Sequence, residues 1–189
     1  DNTCISSPTT VTVNAQPSPP AAPTVTVIQP TCAVATGTIT VTAPIGAYDY
    51  NIDGGAYQAS TTFAGLIPGS HAIRARSTAD NTCISSPTTV TVNAQPSPPV
   101  APTVTVTQPT CAVATGIITV TAPIGAYDYN IDGGAYQAST TFAGVIPGSH
   151  AIRVRSSSDN TCISSPTTVT VNAQPSPPAA PTVTVTQPT

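Results

Sequence analysis

Residues 48–55 read Tyr-Asp-Tyr-Asn-Ile-Asp-Gly-Gly, and they contain both a strand and the turn that ends it. Aromatic or aliphatic side chains at positions 48, 50 and 52 alternate with polar ones at 49, 51 and 53, which is the period of a half-buried strand. Asp53-Gly54-Gly55 is a hairpin signal, because tight hairpin turns need residues that tolerate positive φ. We therefore expect the polar positions to face solvent and the other three to face a core.

Strand patterns continue on both sides of this segment, with turn signals between them. Beyond a Pro-Gly turn, His71, Ile73 and Ala75 are predicted to point inward, while Arg74 and Arg76 point outward. The predicted strands cover residues 23–28, 37–42, 48–52, 56–66, 71–76 and 88–92. Six or seven short strands in one unit are typical of an all-β fold, here an immunoglobulin-like antiparallel β-sandwich.

The whole pattern is repeated along the chain. Asp-Asn-Thr-Cys-Ile-Ser-Ser-Pro begins at positions 1, 80 and 159, so the copies follow one another with a constant period of about 79 residues. Residues 1–110 and 80–189 differ at only eight positions, and none of these exchanges alters a charge. Copies this similar cannot each carry a separate specificity, so repetition adds length or valency. Because the sequence starts and stops within a unit, we expect a longer parent chain.

Proline-rich segments separate the units. Residues 95–102 read Gln-Pro-Ser-Pro-Pro-Val-Ala-Pro, a composition that favours a semi-rigid polyproline II spacer. Small sandwiches joined by such spacers would form an extended rod. The predicted organisation is the last strand of a preceding repeat at 1–16, a linker at 17–22, a sandwich at 23–95, a linker at 96–101, a sandwich at 102–174, a linker at 175–180 and the first strand of a following repeat at 181–189.

Charged side chains are scarce. They make up 6% of the chain, with no Lys and no Glu, against roughly 25% in ordinary soluble domains. The net charge of −3 and the lack of a basic run argue against a nucleic-acid partner. No apolar run approaches the roughly 20 residues of a membrane-spanning segment. The sequence also contains no nucleophile–base or cofactor motif, so we expect no enzyme activity, no catalytic residue and no cofactor.

Five cysteines occupy two fixed places in the unit. Cys4, Cys83 and Cys162 fall in the Asp-Asn-Thr-Cys turns, and Cys32 and Cys111 follow the first strand. Periodic cysteines in a small β-unit predict disulfides and an oxidising compartment. Zinc is not expected, because no Cys-x-x-Cys pair is present.

The pairing of these cysteines depends on the segment 56–66. If it is one strand, both cysteine-bearing turns lie at the same end of the sandwich, which favours Cys32–Cys83 and Cys111–Cys162 within the units. If it is two strands that reverse, the turns lie at opposite ends and Cys32 meets Cys162 of the next unit. We prefer the pairs within units, with the partner of Cys4 outside the sequence.

Two polar patterns resemble functional sites. Asp49-x-Asn51-x-Asp53 matches the first half of a calcium loop, but Ser60 occupies the twelfth position, where a bidentate carboxylate is needed. A plain hairpin is the preferred interpretation, and no metal site is expected. His71 and His150 occupy apolar-facing positions and are interpreted as partly buried core histidines.

Several segments resemble repeats of large secreted proteins of Bacteroidetes. They are Pro-Thr-Cys-Ala-Val-Ala-Thr-Gly-Thr-Ile-Thr-Val-Thr at 30–42, Tyr-Asp-Tyr-Asn-Ile-Asp-Gly-Gly at 48–55, Phe-Ala-Gly-Leu-Ile-Pro-Gly-Ser-His at 63–71 and Asn-Thr-Cys at 81–83. The unit is most similar to the SprB-type adhesin repeats of gliding bacteria and their immunoglobulin-like relatives. That resemblance implies a cell-surface or extracellular fibre.

These observations lead to two hypotheses about function. In the first, the chain is a structural repeat of a long extracellular fibre or stalk, and its partners are copies of itself along or across the fibre, with a glycan or protein contacted at an unseen tip. In the second, the repeats themselves are an adhesin that grips a glycan or protein, with Tyr57 as a candidate contact. The second needs exposed aromatic residues, and the eight in this sequence are few enough to be used in the cores.

Overall fold

All regular elements among residues 4–188, the part of the chain that the computed structural model describes, are β-strands. No helix in this part could span a membrane. Asp1–Gln29 and Thr36–Ala94 form one unit, and Pro30–Ala35 and Gln95–Thr189 form another. In chain order the strands are β1 Thr24–Ile28, β2 Gly37–Ala43, β3 Tyr48–Ile52, β4 Thr62–Leu66, β5 Gly69–Ser77, β6 Thr88–Val92, β7 Thr103–Thr107, β8 Gly116–Ala122, β9 Tyr127–Ile131, β10 Thr141–Val145, β11 Gly148–Ser156 and β12 Thr167–Val171.

Each repeat contains two three-stranded antiparallel sheets. In the first repeat the sheet orders are β1-β2-β4 and β3-β5-β6, and the second repeat has β7-β8-β10 and β9-β11-β12. The cores lie between the two sheets of each repeat. The predicted all-β, immunoglobulin-like sandwich is thus confirmed.

The core follows from the alternation along the strands. In β2 the side chains of Ile39 and Val41 are buried, while the threonines that alternate with them lie nearer the surface. They pack with Tyr50 of β3, Ile73 of β5 and Val92 of β6. His71, Ile73 and Ala75 are buried, as predicted from the sequence. Since β-branched side chains favour strands and fill this thin core, secondary structure and packing agree.

One polar position in β3 differs from the prediction. Asn51 is 5% exposed, although alternation placed it on the solvent face. Its amide Nδ2 donates a hydrogen bond to the carbonyl of Gly55 at 3.1 Å, so the side chain folds over the hairpin turn instead of pointing into water. The turn itself is as expected, with positive φ at Asp53 and Gly54 and a hydrogen bond from Gly55 N to Ile52 O.

The segment 56–66 crosses from one sheet to the other. Gln58 exchanges two backbone hydrogen bonds with Tyr50 of β3, whereas Thr62–Leu66 pairs with β2 in the opposite sheet. The chain therefore reverses once more than it would if this segment were one strand. As a result, the turn after β1 and the turn before β6 lie at opposite ends of the sandwich.

Residues 4–16 and 181–188 form no strand, although their sequences repeat those of β6 and β1. Their assignment to neighbouring repeats stays a prediction, and positions 1–3 and 189 lie outside the described residues.

The contact between β2 and β6 leads to the first testable prediction. A Cβ at Gly37 would lie 2.7 Å from Cγ1 of Val92 and 3.0 Å from the carbonyl oxygen of Ile28. Since one of these neighbours is backbone, we expect Gly37→Ala to lower the free energy of unfolding by about 2 kcal/mol. Chemical denaturation measures this value. The control is Thr38→Ile, because isoleucine occupies the matching position 117; an equal loss in both variants would contradict the prediction.

Candidate functional site

The cysteine-bearing loop and turn form the most distinctive polar site. Cys32 forms a disulfide with Cys162, with a Cα–Cα distance of 5.0 Å, and both residues belong to the unit that contains residues 95–189. Cys4, Cys83 and Cys111 are free thiols in the structure. The connectivity therefore differs from the preferred pairs Cys32–Cys83 and Cys111–Cys162 and matches the inter-repeat alternative. The physical reason is the sheet crossing at 56–66, which puts Cys32 and Cys83 at opposite ends of their sandwich.

Hydrogen bonds hold the cysteine loop on the turn that receives it. The backbone N–H of Cys32 donates to Asp159 Oδ2 at 3.0 Å, and the N–H of Ala33 donates to Thr161 Oγ1 at 3.3 Å. Asp159 Oδ1 accepts from the N–H and hydroxyl of Thr161, which shapes the turn as aspartate does in Asx turns. The bond from Thr161, followed by that from Cys32, lowers the pKa of Asp159. The carboxylate is thus charged where it meets the loop.

The loop is also fixed from its other side by a linker residue. Gln95 Nε2 donates to the carbonyls of Thr31 and Cys32, at 3.2 and 2.9 Å. Thr31 and Val34 exchange backbone hydrogen bonds of 2.9 and 3.2 Å, which close the loop on itself. The disulfide therefore joins two segments whose backbones are already held in place.

The same cluster contains three groups of the kinds that bind metals. The Sγ atoms of Cys32 and Cys162 and a carboxylate oxygen of Asp159 lie within 4.8 Å of one another. Since the two sulfurs are bonded to each other, they offer no thiolate ligand. The oxidised cluster is a covalent cross-link.

His71 is more than a core side chain. Its Nδ1 lies 2.7 Å from Asp53 Oδ2 and its Nε2 lies 2.9 Å from the carbonyl oxygen of Ile67. The bond to Asp53, and then the bond to Ile67, raise the pKa of His71. Burial alone would raise the pKa of Asp53, but bonds from Ala72 N–H and His71 lower it. The second repeat has the same pair, His150 and Asp132.

The residues of the calcium half-loop have other partners. Asp49 pairs with Arg76 at 3.0 Å, Asn51 bonds Gly55, and Asp53 bonds His71. The two carboxylates are engaged by Arg76 and His71, and Asn51 contacts Gly55 through its amide nitrogen.

The aromatic residues are largely used inside the molecule. Tyr50 and Phe63 are buried in the core, with Tyr48 packed against it. The guanidinium of Arg76 lies 4.2 Å from the ring centroid of Tyr57, so this face of the candidate contact is covered. A depression of about 390 Å³ in the second repeat is lined by mixed polar and apolar side chains, among them Asp132, Phe142 and His150.

Comparisons with known proteins add little to this description. No family model matches the chain, and no curated protein matches it. Solved structures with some similarity include the chicken CNTN1 FN1-FN3 domains, at 12% identity and a TM-score of 0.38, with 85% of this chain and 70% of that chain covered. Another is the fibronectin(III)-like modules of Clostridium thermocellum CbhA, at 15% identity and a TM-score of 0.42, with 80% and 95% covered.

The sequence pattern identified the cysteines as disulfide residues but did not identify the residues that position them. Asp159, Thr161 and Gln95 were not recognised as contacts of the Cys32 loop. Their signal was present, because Asp-Asn-Thr-Cys and the linker glutamine recur with the cysteines in every copy.

The histidine–aspartate pairs predict how stability depends on pH. A raised histidine pKa means that the contribution is complete below about pH 6.5 and is lost as pH rises through the folded-state pKa. The lowered Asp53 pKa means that it is also lost in acid, as pH falls through that value. Stability should therefore be highest between about pH 4 and 6.5.

We expect the melting temperature to fall by about 4 °C between pH 6 and 8, because Asp53 is half exposed and each pair then contributes only about 1 kcal/mol. A neutral imidazole cannot donate to both Asp53 and Ile67, and stability therefore falls when the histidines lose a proton. Thermal denaturation across this range checks it. The double variant His71→Gln, His150→Gln should lose the fall, and a fall of equal size in that variant would refute this origin.

The turn that receives the cysteine loop offers a matched comparison. Asp159→Ala removes the acceptor of the Cys32 N–H, so we expect dithiothreitol to reduce Cys32–Cys162 several-fold faster. Asp80→Ala makes the same change in the equivalent turn of the first repeat, where this disulfide is absent, and should leave the rate unchanged. Alkylation of Cys32 over time, followed by peptide mass mapping, measures both rates. Equal rates in the two variants would show that Asp159 does not hold the loop.

Proposed function

We propose that this chain is a structural part of a long extracellular or cell-surface fibre, in which each repeat adds length and mechanical stability. The observation that carries the proposal is the disulfide from Cys32 in the first repeat to Cys162 in the second. A covalent bond between residues 130 positions apart keeps the chain connected under load. Disulfides also persist mainly in oxidising compartments outside the cytoplasm, which supports the location.

The ends of each sandwich are arranged to resist tension. At the start of β1, the carbonyl of Pro23 accepts a hydrogen bond from the Thr88 hydroxyl at the start of β6. At the end of β1, Gln29 bonds the backbone of Thr91 and Asn93, at 3.1 and 2.8 Å. β1 and β6 therefore run side by side in the same direction. Pulling the chain ends apart would load these contacts in shear, so that several must break together.

The second repeat repeats this arrangement with the same residue types. Thr167 bonds Pro102, and Gln108 bonds Thr170 and Asn172. The same hydrogen bonds between the first and last strands are present in both repeats, as expected if both repeats carry the same tension.

The contacts of the aromatic residues favour this proposal over direct ligand binding by the repeats. Tyr50 and Phe63 are in the core, and Arg76 covers a face of Tyr57. Binding of a glycan or protein is therefore not assigned to these repeats. We propose no enzyme activity for the repeats, and turnover by the purified chain would contradict this.

Small-angle X-ray scattering on chains with two, three and four repeats tests the proposal. A rod should lengthen by a constant increment of about 40 Å per repeat, the sum of a short sandwich and a proline-rich spacer. A globular particle would instead grow slowly with the cube root of its mass. The rod proposal fails if the maximum dimension levels off.

A binding test separates the two hypotheses. The intact chain is applied to a glycan array beside the variant Tyr57→Ala, Tyr136→Ala. If the chain binds a glycan and the variant does not, the repeats are an adhesin and the purely structural proposal is wrong. We expect no specific binding by either protein.

A further inference from the structure

The free cysteines occupy surroundings that match those of the bonded pair. Cys111 is the counterpart of Cys32 one period later, and Cys83 is the counterpart of Cys162 one period earlier. The structure thus contains one completed cross-link and, separately, each of its halves without the other.

The half that contains Cys111 has the geometry of the bonded loop. Thr110 and Val113 exchange backbone hydrogen bonds of 2.9 and 3.2 Å, the same lengths as between Thr31 and Val34. Gln174 Nε2 donates to the carbonyls of Thr110 and Cys111, at 3.2 and 3.0 Å, as Gln95 does in the bonded loop. The Cys111 side chain is exposed. The loop is therefore in its docking conformation before any disulfide forms.

The half that contains Cys83 has the geometry of the receiving turn. Asp80 Oδ1 accepts from the N–H and hydroxyl of Thr82, at 2.9 and 2.7 Å, as Asp159 does from Thr161. The carbonyl of Pro17 lies 4.0 Å from the Cys83 Sγ, and its counterpart Pro96 lies 3.3 Å from the sulfur of Cys32. Among residues 4–188, Asp80 Oδ2 accepts only from the Cys83 thiol, at 3.6 Å. In the completed site, that oxygen is the one that binds the loop N–H.

We propose that the 110–113 loop and the 80–83 turn are the two faces of a docking site for another copy of the same repeat, closed by a disulfide like Cys32–Cys162. The loop of each copy docks on the turn of the next copy along the fibre. Asp80 and Thr82 then receive the N–H groups of an incoming loop, as Asp159 and Thr161 do. The inference rests on the fibre proposal, whose partners are copies of the chain.

The bond forms by ordinary thiol oxidation. A loop thiol and a turn thiol together lose two protons and two electrons to a disulfide oxidant such as glutathione disulfide, which becomes two glutathione thiols. The two sulfurs then share the new bond.

This connectivity would make the fibre nearly inextensible. Each disulfide joins cysteines that are 130 positions apart in the sequence. A turn cysteine such as Cys83 is followed by the next loop cysteine, Cys111, after only a short stretch of backbone. Along the sequence, one disulfide and the backbone from its turn cysteine to the next loop cysteine together span two full periods of the repeat. On the shortest covalent path, only that short stretch in every two repeats would carry tension as backbone, and the rest would be bypassed.

Counting thiols in chains of two lengths tests the inference. The 189-residue chain is compared with a longer chain in which a second copy of residues 111–189 is added after Thr189. The addition supplies one complete period and two cysteines. Both are refolded in dilute solution in a glutathione redox buffer, the monomers are isolated so that disulfides between chains do not enter the count, and free thiols are counted before peptide mass mapping. The 189-residue chain should show three free thiols, Cys4, Cys83 and Cys111. The longer chain should again show three, with Cys111 bonded to the turn cysteine of the added copy.

Other thiol counts overturn the inference. Disulfides within repeats would leave one free thiol in either chain. Five free thiols in the longer chain would show that the Cys32–Cys162 bond is not repeated in the added copy. Cys111→Ser in the longer chain is the control and should leave four, because the added turn cysteine loses its partner. Two in that variant would reject Cys111 as the partner, because the added turn cysteine would then have bonded to another cysteine. Scattering on the same samples separates the two proposals. If the longer chain has five free thiols and still scatters as a rod, the fibre proposal stands and the docking proposal fails.

Discussion

The crossing of the chain between Gln58 and Thr62 is the constraint on which the rest of the structure depends. Two backbone hydrogen bonds keep Gln58 beside Tyr50, and shortly afterwards the chain pairs with β2 in the opposite sheet. This adds one reversal and fixes which turns share an end of the sandwich. Because the two cysteine-bearing turns then lie at opposite ends, a repeat cannot close a disulfide on itself. Under the docking proposal, its cysteines bond with neighbouring copies.

Several of the few charged groups in each repeat have specific partners beside the small core. His71 joins Asp53 to the carbonyl of Ile67, and Arg76 joins Asp49 to the ring of Tyr57. These contacts tie the β3 hairpin to β5, where a two-layer sandwich has little apolar surface to spare.

The fibre proposal and the docking proposal describe one mechanical design at two scales. Within a repeat, hydrogen bonds at both ends of β1 and β6 oppose separation of these strands. Between repeats, a preformed loop and a preformed turn meet with their backbones already fixed, so little conformational entropy is lost when the disulfide forms. Noncovalent shear contacts would then bear small loads, and covalent bridges would limit the extension under larger ones.

The sequence by itself determined the period, most of the strands, the hairpin at Asp53-Gly54 and the inward face of β5, because alternation and turn chemistry are local properties. It also located both cysteine positions and the histidines. It did not determine the burial of Asn51, the acceptor role of Asp159 or the partner of Cys32. The burial of Asn51 follows from its bond to Gly55 across the hairpin turn. The acceptor role of Asp159 and the partner of Cys32 depend on whether 56–66 stays in one sheet or crosses to the other. Only the tertiary structure decided that, since strand alternation describes which side chains face inward and not which sheet a strand joins.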